Sequence, residues 1–284
     1  MLDRRLNAYR PDLADQVLQG QVEAERFVVP QPAMIAAPVV PLRPRPDLTA
    51  GIDTELLIGE AVGVLERKDG FAWVKAASDG YVGYLPESAL APSQQPTHVV
   101  CVPRTFVYSG ADLKFPMRRA LSMGSRLSIV GEIETRGMLY LLLSNGDAVI
   151  ARHLRALSDA PLGDYVHVAA RFIETPYLWG GKSAFGIDCS GLVQLSMAMV
   201  GEAAPRDSDM QAEKLGIVIE RDALRRGDLV FWKGHVAIME DERTLLHANG
   251  HTMSVARETL EGAIERIGWL YGQPTGYRRP IAET

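Results

Sequence analysis

The rhythm of apolar and polar positions changes near residue 160. Before it, apolar runs are short and broken by turn residues. Leu56-Leu57-Ile58 passes through Gly59-Glu60 into Val62-Gly63-Val64-Leu65, Asp69-Gly70 precedes Phe71-Ala72-Trp73-Val74, and Asp79-Gly80 precedes Tyr81-Val82-Gly83-Tyr84-Leu85. Asp-Gly pairs between such runs mark turns between strands. Residues 1–35 are polar and irregular, with one short helix expected around Asp12–Gln21. The prolines of Pro38-Val39-Val40-Pro41-Leu42-Arg43-Pro44-Arg45-Pro46 remove ladder donors, so this lead-in belongs at an edge or in a loop.

The β pattern occurs twice. Gly59-Glu60-Ala61-Val62 aligns with Gly124-Ser125-Arg126-Leu127, Asp79-Gly80-Tyr81-Val82 with Asn145-Gly146-Asp147-Ala148, and Ser88-Ala89-Leu90 with Arg152-His153-Leu154. A constant offset of about 65 residues over three separate pieces is the mark of an internal repeat. Each copy has the length and turn spacing of a small barrel. These patterns give an N-terminal segment at 1–35, a first β unit at 36–92 and a second at 97–157. The Pro- and Gln-containing linker Ala91-Pro92-Ser93-Gln94-Gln95-Pro96 joins the two β units.

From residue 160 to 284 the pattern is mixed. Val166 to Ile173 has helical period and stops before Pro176, and Cys189 to Val200 is a second helix with Gly201 as its C-cap. Strand-like runs follow at Leu229-Val230-Phe231-Trp232, Val236-Ala237-Ile238-Met239 and Thr244-Leu245-Leu246-His247. Helices followed by strands indicate an α+β domain with an antiparallel sheet.

Composition narrows the function. The 284 residues suffice for two or three domains, and the formal net charge of −5 supplies no basic field for nucleic acid or anionic lipid. The stretch Pro32 to Leu42 is too short and too proline-broken to span a bilayer, and the charged start Met1-Leu2-Asp3-Arg4-Arg5 lacks the apolar core of a signal peptide. A cytoplasmic protein without nucleic-acid or membrane partners is expected. No feature of the sequence speaks to oligomeric state. The two cysteines, Cys101 and Cys189, are expected to remain thiols, with Cys101 inert in a buried strand.

Cys189 carries the candidate chemistry. A helix start presents unpaired amides and a positive dipole end, which favour thiolate, and Asp188 is placed to cap it. A nucleophilic thiol needs a base within hydrogen-bond reach. Six histidines are present, and two of them, His235 and His247, bracket a hairpin whose polar tip is Glu240-Asp241-Glu242-Arg243. A hairpin centred on Asp241 pairs His235 with His247 on one face, Cβ atoms about 4.5–5.5 Å apart. One imidazole then serves as base and the other fixes its tautomer. Zinc is disfavoured, since no CxxC or HxxxH spacing accompanies these residues, and no cofactor is expected.

The ordered pieces Pro176-Tyr177-Leu178-Trp179-Gly180-Gly181, Gly186-Ile187-Asp188-Cys189-Ser190-Gly191, Arg206-Asp207-Ser208, Arg226-Gly227-Asp228, Gly234-His235-Val236 and Leu246-His247-Ala248 resemble the NlpC family of bacterial cell-wall cysteine peptidases, over about residues 160–280. The resemblance implies a papain-like domain with Cys189 as nucleophile, His235 as base, His247 as orienting residue and Tyr177 beside the oxyanion. The β units look like bacterial SH3 domains. Relatives with that arrangement resemble enzymes of muropeptide recycling, which cut the bond between γ-D-glutamate and a diamino acid in murein peptides with a free N-terminal L-alanine. In that subgroup, positions matching Tyr177, Trp179, Asp188, Ser190, Asp207 and Ser208 line the substrate pocket. An acid and a tyrosine of the first SH3-like domain, here Glu60 and Tyr81 with Tyr84 as rival, close over the alanine amine. Each has an ordinary structural reading: helix capping for Asp188, a turn or cap at Asp207-Ser208, an exposed loop at Glu60 and barrel core for Trp73. The competing functions are an inert module that binds peptidoglycan peptides, and an amidase or acyltransferase built on the same triad.

Overall fold

Turn residues arrive in the first 160 residues before any strand can lengthen, and small barrels result. The structure is a computed structural model that describes residues 2–281. The chain divides into two units, Met1–Ala160 and Pro161–Thr284.

In the first unit, one barrel joins a five-stranded sheet, in the order Val82–Pro86, Phe71–Ala76, Ala61–Lys68, Gln31–Ile35, Leu90–Pro92, to the pair Val39–Leu42 and Thr54–Leu57. Alternate residues face inward, so Ile35, Leu42, Leu56, Val62, Val64, Val74, Tyr81 and Leu85 form one core. The second barrel has the order Met117–Ser122, Arg104–Tyr108, Ala148–Ile150, Met138–Leu142, Gly131–Thr135, with a three-stranded ribbon beside it. Its core gathers Val100, Val107, Leu121, Leu127, Leu141 and Val149, and takes in Ile58 from the first barrel.

The repeat is visible in the backbone. Gly59 and Gly124 have φ of +80° and +88°, Gly80 and Gly146 of +78° and +82°, and short 3-10 turns follow at Glu87–Ala89 and Ala151–His153. Gly59 is required twice over, because a Cβ there would lie 2.2 Å from the Arg126 carbonyl oxygen, where the Arg126 amide also donates to Ile58 O at 2.8 Å.

The first 35 residues are more ordered than their pattern suggests. Instead of a helix at 12–21 there is a single 3-10 turn, Gln16–Leu18, opened by Asp15, whose carboxylate accepts from the Val17 amide at 3.2 Å. Residues Gln31–Ile35 are a strand inside the first barrel's sheet rather than part of a separate segment. Leu13 and Ala8 pack on Trp73 and Val82, and the Arg10 guanidinium lies 4.4 Å over the Trp73 ring while bonding Glu66 at 2.7 Å and the Tyr84 hydroxyl at 2.8 Å. Cys101 is half-buried and stands one residue beyond the His98–Val100 strand, not within a buried strand as expected.

The second unit is built on one antiparallel sheet. Its strands, in chain order, are β1 (Ile217–Ile219), β2 (Leu229–Trp232), β3 (His235–Met239), β4 (Thr244–Asn249), β5 (Ser254–Thr259) and β6 (Gly276–Arg279), arranged β1-β6-β2-β3-β4-β5. Four helices accompany it: α1 (Tyr165–Ala170), α2 (Cys189–Met199), α3 (Ser208–Lys214) and α4 (Leu260–Tyr271). Val230, Trp232, Ala237, Met239 and Leu245 point to one face and meet Leu260, Ala263, Ile264 and Ile267 of α4. Helix α2 packs on β3 and β4 and is buried on nearly every side. A helix buried on nearly every face belongs to the core, even with Ser190, Gln194 and Ser196 among its residues. No described helix is long and apolar enough to cross a membrane.

Candidate active site

Asp188 begins the site by shaping α2. Its backbone is extended, and its Oδ1 accepts from the Gly191 amide at 2.6 Å, so Cys189 falls in the first helical turn. Gly191 must lack a side chain there, since a Cβ would sit 2.4 Å from the Gly181 carbonyl oxygen. Asp188 Oδ2 accepts from the Gly180 amide at 3.0 Å, and Arg206 grips both carboxylate oxygens at 2.9 and 2.7 Å. Ser190 joins the cluster, donating to Asp188 Oδ1 at 3.2 Å and accepting from Arg206 at 2.9 Å. The Asp188 carboxylate thus ties the loop before α2 to its first turn, with Arg206 only 1% exposed behind it.

Cys189 is buried, and burial pushes its thiol up to about 12, with the Asp188 charge adding to the rise. The Val236 amide, the Arg206 charge and the Ser190 amide pull the other way. Val236 follows His235, so the start of β3 is brought against the thiol.

The two histidines meet as their shared parity requires, though by another register. Ile238 pairs with Leu246 and Met239 with Leu245, which centres the hairpin on Glu242 rather than Asp241. His235 and His247 are therefore diagonal neighbours, not direct partners, and the shift leaves both on one face. His235 Nε2 lies 2.9 Å from His247 Nδ1, so one carries the proton between them. That leaves Nδ1 as the remaining ring nitrogen of His235. Burial first, and then His247, lowers His235 to about 3, and burial likewise lowers His247. Both rings rest neutral.

Tyr177 is partly buried near this centre, its phenol pushed up by burial and by the proximity of Cys189 and Asp188. Its backbone bridges to Ile187, two residues before the cysteine. Trp179 is 70% exposed on the following loop. Asp207 is the N-cap position of α3 and Ser208 its first residue. Glu60 and Tyr81 belong to the first unit: Glu60 lies in the turn before Ala61–Lys68, and Tyr81 is among the core side chains of the first barrel.

Three contributors escaped sequence reasoning. Arg206 stands beside Asp207 in the motif quoted for the family but reads as an ordinary surface cation. Gln211 of α3, fully buried, donates from Nε2 to the Ser190 and Pro205 carbonyls at 3.0 and 2.8 Å. Glu258 of β5 lies with Oε2 3.3 Å from His247 Nε2, short of an aligned hydrogen bond. Its only sequence signal is strand parity, which required knowing β5. Among the described residues, no group of three or more His, Cys, Asp and Glu stands together as a metal site.

Comparison with known proteins fits this geometry. Residues 174–266, which hold the cysteine and both histidines, match the NlpC/P60 family, and residues 42–90 match the bacterial dipeptidyl-peptidase SH3 domain. A probable endopeptidase NlpC homolog of Haemophilus influenzae is 31% identical over 124 residues, 42% of this chain and 67% of that protein. The chain belongs to the NlpC/P60 family. Two further family relatives are named gamma-D-glutamyl-L-lysine dipeptidyl-peptidase. The Bacillus cereus protein is 29% identical over 69% of this chain and 67% of its own length, and the Bacillus subtilis protein 27% over 75% and 77%. The crystal structure of an NlpC/P60 family protein from Bacillus cereus superposes with a TM-score of 0.75 at 23% identity, covering 89% of this chain and all of that one. At that identity the likeness is one of fold.

Proposed function

We propose that the protein is a cysteine endopeptidase that hydrolyses the γ-D-glutamyl–diamino acid bond of murein peptides with a free N-terminal L-alanine. The observation that carries this reading is the 2.9 Å contact between His235 Nε2 and His247 Nδ1, with the next backbone amide, that of Val236, turned to the Cys189 thiol. Two relatives that align along much of this chain bear names for that bond class, which supports the substrate. In this reading the substrate is a free peptide of wall recycling and the reaction is cytoplasmic.

In this reading Cys189 Sγ attacks the scissile carbonyl as its proton passes to His235 Nδ1. The thiol and imidazole both start neutral, so charge separates only as the new C–S bond forms. The Cys189 amide, in the first turn of α2, and the Tyr177 hydroxyl receive the developing oxyanion. His235 then returns the proton to the departing diamino-acid amine, leaving a thioester on Cys189. Water, deprotonated by the same ring, attacks the thioester, the C–S bond breaks, the glutamyl carboxylate leaves and the ring returns its proton to Cys189 Sγ. Trp179, Asp207 and Ser208 line the approach, and Asp188 with Ser190 holds the nucleophile's turn.

The test is release of the diamino acid from L-Ala-γ-D-Glu-diaminopimelate. Cys189→Ala abolishes it, and acetylating the alanine amine removes most of it in the unaltered enzyme. Undiminished hydrolysis by Cys189→Ala would overturn the nucleophile. Equal turnover of the acetylated peptide would overturn the free-amine requirement and favour a broader amidase.

A further inference from the structure

We infer that Glu258, held by Arg266, is a positioning residue that sets the protonation pattern of both active-site histidines from the far side of His247. The inference rests on the proposed role of His235 as base. His235 accepts the thiol proton only if its Nδ1 is bare, which requires the ring proton to sit on Nε2. That proton then points at His247 Nδ1, 2.9 Å away, which must accept. His247 in turn must carry its proton on Nε2, the nitrogen 3.3 Å from Glu258 Oε2. A carboxylate has no proton to offer at neutral pH and attracts one, so it selects this tautomer over the reverse. With the opposite tautomer of His247, His235 would carry its proton on Nδ1, the nitrogen that the proposed reaction needs bare, and could not act as base.

Glu258 is itself fixed. Arg266 of α4 donates from Nε to Oε1 at 2.9 Å and from its terminal nitrogen to Oε2 at 2.5 Å, a two-pronged grip. The contact with His247 and the Arg266 charge hold the Glu258 carboxyl down to about 2, so it stays ionised throughout the working range. Strand pairing explains the placement. Glu258 pairs with Leu245 and Ala256 with His247, which puts Glu258 on the His247 face of the sheet, where α4 lies. Among the described residues, the charged and titratable groups facing His247 are His235 from β3, Glu258 from β5 and Arg266 from α4. The line of contacts runs Arg266, Glu258, His247, His235, and the proposed proton transfer extends it to Cys189. Glu258 touches no substrate and acts only through the two rings.

The pair makes opposite predictions. The Glu258 charge favours protonated His235 and the Arg266 charge opposes it. Glu258→Gln is expected to lower kcat about ten- to hundred-fold with KM unchanged, and to move the acid limb of kcat/KM to lower pH. Arg266→Met is expected to move that limb to higher pH. Nitrogen-15 spectra of the histidine rings supply a readout independent of activity. The unaltered enzyme should show both rings protonated on Nε2, and Glu258→Gln should show a mixture. A Glu258→Gln enzyme with unmoved acid limb and unchanged ring tautomers overturns the inference. So does an Arg266→Met limb that moves to lower pH. If the Cys189 assignment itself fails, activity is lost as evidence, but the tautomer spectra still decide the role of Glu258.

Discussion

His235 is held neutral where an exposed histidine would titrate. Its ring is lowered to about 3, against an ordinary value near 6.5, chiefly by burial. The sign follows from proton uptake. Between pH 6.5 and 3 the unfolded chain binds a proton on this side chain and the folded chain does not, so stability falls as pH falls through that window. Each pH unit within it is worth about 1.4 kcal/mol. From pH 7.5 to 4.5 His235 alone therefore removes about 2–3 kcal/mol, and His247, also lowered by burial, acts in the same direction. His235→Gln is expected to flatten that part of the stability curve, as read from hydrogen exchange of α2 amides at the two pH values. An unchanged slope would show that the ring is solvated in the folded chain.

At the level of elements, the start of α2 depends on an ion pair more than on a cap. Asp188 satisfies the Gly191 and Gly180 amides and the Arg206 fork together, and both partners of the pair are buried. Removing one partner of a buried pair leaves an uncompensated charge and costs about 3–5 kcal/mol, against about 1 kcal/mol for a lost cap. Asp188→Asn keeps a good capping residue and loses the charge. It should therefore cost nearly as much stability as Asp188→Ala, measured by the urea midpoint of the Pro161–Thr284 unit. An Asn variant close to the unaltered protein would mean the cap dominates.

The same elements show what a sequence discloses. The repeat was legible because Gly59 and Gly124, and Gly80 and Gly146, occupy φ values that glycine adopts freely, and such positions stand out in a string of letters. The shared face of His235 and His247 was legible because parity survives a two-residue change of register, although the register itself was set by hydrogen bonds around Asp241 and Thr244 that the letters do not order. Arg206 and Glu258 were not legible. Each is a charged residue whose partner lies on another element, 18 residues from Asp188 in one case and 11 from His247 in the other. Only the folded sheet and helix bring them together. The strand Gln31–Ile35 was missed because Pro32 within it reads as a loop, and its pairing is with Ala61–Lys68, about thirty residues on.

Across the whole molecule, the two units are joined through Ser158-Asp159-Ala160-Pro161, where side chains are exposed. The backbone is tied on either side, by the Leu157 amide to Thr97 O at 2.8 Å and by the Leu162 amide to Met199 O at 3.1 Å. Within the stretch the Asp159 amide donates to Ala156 O at 3.1 Å and its carbonyl accepts from Arg155 at 2.8 Å, bonds local enough for an exposed connection to open where proteases enter first. Limited digestion with subtilisin is expected to cut first within residues 158–161 and to leave fragments corresponding to Met1–Ala160 and Pro161–Thr284. A first cut inside either barrel would show that the linker is protected.

The contact of Arg10 with Trp73 has an optical consequence. Of the four tryptophans, Trp179 and Trp269 are exposed and Trp232 lies buried beneath α4. Trp73 alone is roofed by the first residues of the chain, with a cation 4.4 Å from its ring and Tyr84 stacked at 6.1 Å. Its emission is therefore a natural gauge of whether the N-terminal segment is seated. Lifting Arg10 and Leu13 away would hydrate the indole and shift its light to longer wavelength while the barrel beneath stayed closed.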